Sequence, residues 1–185
     1  MSIAQRISED EYQRIVLAEP LETWELYDGQ LREKPGMTWD HDEIVLELSH
    51  LLRSQLDRRQ FRVRVEGRVR RPGTIFRPDV VVVPADYGEE FRDRPGVLAI
   101  FSRPLPLVVE VWSRSTGDYD VDAKVPVYQQ RGDLEIWRIH PYERTLTAWR
   151  RQPDGSDQQE VFRGGVVYPA ALPGVAIDLS ELFAG

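Results

Sequence analysis

Cysteine does not occur in the 185 residues. Disulfides and thiolate metal sites are therefore excluded. No apolar run approaches the roughly 20 residues that a membrane-spanning helix needs. The opening MSIAQRISEDEY has neither the basic end nor the apolar stretch of a secretory signal. A soluble, cytoplasmic protein with no membrane partner is the expectation. Glycine-rich phosphate loops are missing too, and none of the three histidines is placed as the base of a serine nucleophile. Among the charged residues lysine is scarcest: Lys34 and Lys124 stand against 22 arginines.

What is present reads as one globular domain spanning residues 1–185, with 41% hydrophobic and 30% charged residues. The net charge of -7 argues against indiscriminate binding of nucleic acid. That charge is uneven. Between Arg58 and Arg77 eight arginines face one acid, Glu66, so the segment carries +7 and the remainder -14.

Periodicity gives the elements. ISEDEYQRIVLAE predicts a short amphipathic helix capped by Ser8, and the Asp28-Gly29 pair in TWELYDGQLREKP predicts a tight hairpin. DHDEIVLELSHLLRSQLDRR places Ile44, Val45, Leu48, Leu51, Leu52 and Leu56 at helical spacing, with Asp40 as the expected N-cap. FRVRVEGRVRRPG alternates, so a single strand is expected with Arg62, Arg64, Arg68 and Arg70 on one face. DVVVVP and LPLVVEVW are continuous apolar runs of the kind found in strands covered on both sides. The stretch ADYGEEFRDRPGVLAIFSRP between them reads as a loop, long enough for a flap. TGDYDVDAKVPVYQQRG predicts a helix ending near Gly132 and disturbed by Pro126, unless it restarts there. DLEIWRIHP, RTLTAWRR and QQEVFRGG predict three more strands, the last two joined across PDGSD.

Two acids and a lysine mark the most strand-like region: Asp79 in RPDVVVVP, Glu110 in LVVEVW, and Lys124 fourteen residues later. An acid among Val108, Val109 and Val111 is costly to bury unless it is paired or metal-bound. Two carboxylates are the minimum for a hard cation that keeps places for water and phosphate oxygens. A compact ammonium on the following helix suits the orienting of an attacking water, a role a guanidinium fills poorly. Spacing alone leaves a second reading open, in which Asp79 caps a turn after Pro78 and Glu110 pairs with an arginine.

These spaced elements, together with WELYDGQL and a His41 opening the long helix, resemble the Uma-two group of restriction endonucleases within the PD-(D/E)XK nuclease superfamily. The resemblance runs from about Trp24 to LPGVAIDLSELF. It implies an α/β (α+β) fold, a restriction-endonuclease-like mixed central β-sheet flanked by helices, with an N-terminal helix and hairpins. It also implies Mg2+ (or Mn2+) as cofactor and DNA as substrate. Carried over, Asp79 and Glu110 are metal ligands, the Val111 carbonyl a third ligand, and Lys124 the catalytic lysine. The superfamily lysine stands two residues after the Glu, where this chain has Trp112, so Lys124 is a migrated lysine. His140 stands where the family often has an Asp.

Glu47, His41, Glu25 and Ser113 are accessory candidates: the first two lie on or at the edge of the apolar helix stripe, Glu25 matches the family hairpin, and Ser113 opens an SxS segment. Arg62, Arg64, Arg68 and Arg70 are candidates for the DNA backbone. Cutting both strands would favour a homodimer, and Leu46, opposite the stripe, suggests a further contact. The alternative from another class is a nuclease-fold DNA-binding or assembly module that has lost cleavage.

Overall fold

A computed structural model describes residues 6–184. Its central feature is a mixed six-stranded sheet in the order β11-β10-β9-β8-β6-β3. The strands are β3 (Phe61–Val65), β6 (Val80–Pro84), β8 (Leu107–Val111), β9 (Glu135–His140), β10 (Thr145–Arg151) and β11 (Asp157–Phe162). Only β8 and β9 run parallel in it. A parallel neighbour requires a crossover, and the chain between these two strands supplies one containing helices.

The apolar runs behave as strands covered on both faces. Val80, Val82, Leu107, Val109 and Val111 join Ile44, Leu48 and Leu52 of the long helix α2 (Trp39–Gln55) in one core. Val81, Val83 and Val108 join Val125, Val127 and Tyr128 of α4 (Val125–Arg131) in another. Alternation of side chains along a strand therefore puts Glu110, in phase with Val108, on the α4 side. Each buried valine or leucine contributes about 1.5–3 kcal/mol, so the register of β6 and β8 is held from both faces.

A second, five-stranded sheet has the order β2-β1-β5-β4-β7. It comprises β1 (Trp24–Tyr27), β2 (Gln30–Glu33), β4 (Arg68–Arg71), β5 (Thr74–Phe76) and β7 (Ile100–Phe101). Helix α1 (Glu9–Ala18), capped by Ser8 in a capping box, lays Tyr12 and Val16 on Leu26 and Ile75 of this sheet. The Asp28-Gly29 turn has positive φ at both residues, 48° and 76°, as a two-residue hairpin with matching twist requires. A small ribbon of β12 (Val166–Val167) and β13 (Ile177–Asp178) and helix α5 (Leu179–Leu182) complete the elements. Among the described residues no helix is long and apolar enough to cross a membrane.

Three local expectations are corrected. The arginine-rich segment is two strands, not one: Glu66 takes φ 53° and the chain passes from β3 in one sheet to β4 in the other. Gly67 permits this, since a Cβ there would lie 2.6 Å from Val81 Cγ2. The arginines therefore do not share one face, and Val65 is exposed. Thr38, not Asp40, caps α2, its hydroxyl accepting from the His41 amide; Asp40 sits in the first turn, favoured by the helix dipole. The region after β6 is not all loop, because Ala85–Phe91 forms a 3-10 helix and β7 pairs with β4. Pro126 is accommodated by a widened turn over Asp120–Lys124, where the Val125 amide reaches back to the Asp120 carbonyl. That turn follows a short α3 (Gly117–Tyr119), and Pro126 falls in the first turn of α4, where its missing N–H costs nothing. Gly132, at φ 82°, ends α4 as expected.

Candidate active site

The two sheets meet at the start of β6 and the end of β8, where a cluster of charged side chains is closed off from solvent. Asp79 immediately precedes β6 and is 3% exposed. Its Oδ2 accepts from the Val111 amide at 2.7 Å, and its Oδ1 receives the Lys34 ammonium at 2.7 Å. His41 Nε2 lies 3.2 Å from Oδ2, close enough for an ion pair although not aligned as a hydrogen bond. Burial alone would raise the Asp79 pKa, but Lys34 and His41 outweigh it and hold the carboxyl well below its ordinary value. Burial opposes charge on His41 as well, and Asp79 reverses that effect and raises its pKa.

Glu110 accepts from the Tyr128 hydroxyl and lies 3.2 Å from Lys124 Nζ. Its pKa is raised well above the ordinary range, by burial first and by the neighbouring Asp120 and Asp79 next. Lys124 is buried like a core residue, at 1% exposure. It is ringed by Glu25 at 3.1 Å, Glu110 at 3.2 Å and Asp120 at 3.7 Å. Desolvation opposes its charge, yet these acids drive its pKa well above the ordinary lysine value. Glu25 is fixed from the other side by the Arg77 amide at 2.8 Å. The sequence candidates Asp79, Glu110, Lys124, Val111, His41 and Glu25 therefore converge.

Ser113 lies at the margin. Its hydroxyl is 2.8 Å from Thr116 Oγ1, which donates to Asp120 Oδ2 at 2.9 Å. Glu47 does not join the cluster: it lines a separate cavity of about 340 Å3 with Trp39, Glu43 and Tyr142. Arg62 and Arg64 border a recess of about 470 Å3 with Arg53 and Arg58 at the β3 edge. Arg70 is engaged by Glu9 at 2.6 Å, and Arg68 lies against Tyr12.

Two members of the cluster were not singled out from the sequence. Lys34, just after β2, is one; the scarcity that marks Lys124 applies equally to it. Both lysines of an arginine-rich chain are buried in one cluster. Asp120 is the other, and its place four residues before Lys124 on a helical stretch is the signal. Burial raises its pKa to about 6 despite Lys124.

The position two residues after Glu110, where the resemblance would place a lysine, is physically filled by Trp112. The Trp112 indole stacks on His140 with ring centroids 4.3 Å apart and planes 23° apart, and Tyr142 meets its edge at 5.8 Å. A Cβ on Gly117 would lie 2.1 Å from Trp112 Nε1. Trp112, His140 and Gly117 thus form one packed unit, which gives His140 a structural reason to be there.

For a hard divalent cation the donor chemistry fits: Asp79 and Glu110 offer carboxylate oxygens beside one peptide unit, and Asp120 Oδ1 is buried without a hydrogen-bond partner. The fit is through two carboxylates. Among the described residues no three His, Asp or Glu side chains are grouped so as to hold an ion by themselves.

A solved structure from Anabaena variabilis, described as a putative nuclease belonging to DUF820, superposes with a TM-score of 0.78 at 23% identity, covering 96% of this chain and 98% of that one. At that identity the likeness establishes the fold, a restriction-endonuclease-like α+β architecture. No curated protein matches the chain. The family model Uma2, "Putative restriction endonuclease", matches residues 9–180, nearly the whole length, and this chain belongs to that family.

Proposed function

We propose that the protein is an endonuclease that hydrolyses DNA phosphodiester bonds with Mg2+ or Mn2+ held by Asp79, Glu110 and the Val111 carbonyl. The observation that carries this is the convergence of both strand acids and Lys124 at one sheet end. Asp79 is hydrogen-bonded to the amide that follows Glu110, and Lys124 Nζ is 3.2 Å from Glu110. When bound, the ion would polarise a phosphoryl oxygen and lower the pKa of the attacking water.

The chain's own groups divide the remaining work. The Val111 amide and His41 orient Asp79. Lys124, a compact cation fixed by Glu25 and Glu110, steadies charge gathering on the phosphate. Ser113 and Thr116 set the rotamer of Asp120. Arg62 and Arg64, with Arg53 and Arg58, offer cations to the DNA backbone along the β3 edge. The rest of the chain carries a net -14, which disfavours indiscriminate binding elsewhere. Cutting both strands takes two copies of the site, which a homodimer supplies.

The test is nicking of supercoiled plasmid with Mg2+ or Mn2+. Asp79→Ala and Glu110→Ala are expected to abolish metal-dependent nicking while circular dichroism stays native. Undiminished cleavage by both variants would sink the assignment. A second reading, a nuclease-fold module without cleavage, draws on Trp112 in the lysine position and on the ammonium seated against Asp79. Failure of the wild type to bind Mn2+ at millimolar concentration would favour it.

A further inference from the structure

Lys34 does what no sequence pattern demanded of it. Its side chain is 4% exposed, and its Nζ sits 2.7 Å from Asp79 Oδ1, 2.9 Å from the Arg77 carbonyl and 3.4 Å from Glu66 Oε1. Its backbone is pinned: the Lys34 amide donates to the Thr23 carbonyl at 2.7 Å, and the Lys34 carbonyl accepts from Thr23 Oγ1 at 2.6 Å. Only the four-carbon stem and its ammonium are free to move.

We propose that Lys34 is a built-in counter-cation on Asp79 Oδ1 and that a divalent metal binds there by displacing its ammonium toward Glu66. This rests on the reading of Asp79 as a metal ligand. An ammonium at hydrogen-bonding distance and a hard cation compete for the same oxygen, and their like charges exclude each other at such range. The second seat already exists. Glu66 is partly exposed at the margin of the cluster, paired with Arg77 and within 3.4 Å of Nζ.

The residue type follows from this role. A guanidinium would engage both oxygens of Asp79 in a planar fork, whereas an ammonium is a point cation on a flexible stem. Here it takes Oδ1 and leaves Oδ2 to the Val111 amide. Meanwhile the cluster stays balanced, because an unpaired buried carboxylate is costly. Lys34 is thus a positioning residue that holds Asp79 ready and yields its place. Lys124 differs: acids surround it on three sides, and it stays.

Calorimetric titration of Mn2+ into the full chain tests this without an activity readout. Lys34→Met is expected to bind Mn2+ at least about tenfold more tightly than wild type, since the competing charge is gone. Glu66→Gln, a change at the margin of the cluster, is expected to weaken binding several-fold because the displaced ammonium loses its second seat. Equal or weaker binding by a natively folded Lys34→Met would overturn displacement while leaving the metal reading intact. Absence of Mn2+ binding in wild type and Lys34→Met alike would overturn both.

A measurement on the wild type guards against misfolding of the variant. With only two lysines in the chain, a protein labelled with 15Nζ-lysine gives two ammonium signals. Mg2+ is expected to strip the Lys34 signal of its protection from exchange and leave that of Lys124. Protection of both signals at saturating Mg2+ contradicts the proposal.

Discussion

Replacing Lys124 by methionine keeps the length of the side chain and removes its charge, and its effect can be worked from the geometry. The ammonium lies 3.1 Å from Glu25, 3.2 Å from Glu110 and 3.7 Å from Asp120. At an effective dielectric near 20, a unit pair about 3.2 Å apart is worth about 5 kcal/mol before desolvation is counted. Burying the ammonium offsets much of that. What remains is the cost of orphaning a buried charge partner, about 3–5 kcal/mol, out of a total stability on the order of 5–15 kcal/mol. The cost must depend on pH. Freed of Lys124, Glu110 and Asp120, whose pKa values burial already raises, take up protons more readily in the native state, so the penalty shrinks as pH falls. Urea unfolding followed by circular dichroism should give the full loss at pH 8 and at least about 1.4 kcal/mol less at pH 5, a tenfold change in equilibrium. A loss below about 1 kcal/mol at pH 8, or the same loss at both pH values, would refute the electrostatic account of this lysine.

Gly117→Ala should destabilise the protein by about 1–3 kcal/mol, because the new Cβ would lie 2.1 Å from Trp112 Nε1; a change in tryptophan fluorescence should accompany it, and neutrality would mean that the Trp112 unit is not tightly packed. Asp120→Asn tests the buried acid whose pKa is raised to about 6. Between about pH 4 and 6 the native state binds a proton that the unfolded chain releases, so this acid makes the wild type lose stability as pH rises through that window. The variant should therefore gain on the wild type across it in urea midpoints, and parallel curves would contradict the assignment.

The buried strands were legible because β6 and β8 are apolar on both faces, and that pattern has few other solutions. The helix α2 and the Asp28-Gly29 hairpin were equally plain, the one from its apolar spacing and the other from its local turn residues, although the cap of α2 is Thr38 rather than Asp40. The break between β3 and β4 was not, since alternation continues unbroken through Glu66 and Gly67. The turn there is set by the close approach of Gly67 to Val81, a tertiary fact. At the site, the apolar stripe of α2 carries His41, which is buried beside Asp79, but it could not tell that Glu47 faces a different cavity, because position on a stripe edge says nothing about what lies opposite. Lys34 was legible in principle. Its rarity was visible, but nothing local tied it to Asp79, 45 residues away. Trp112 and His140 illustrate the same limit: each departs from the family pattern singly, and only the parallel pairing of β8 with β9 explains them together.

The proposed function turns on whether Asp79 and Glu110 together hold a divalent ion beside Lys124. Anomalous scattering from crystals soaked in millimolar Mn2+ tests it most directly. A peak touching both carboxylates, absent from Glu110→Ala crystals, is the predicted result. No peak at that concentration, or one lying away from Asp79 and Glu110, would contradict it.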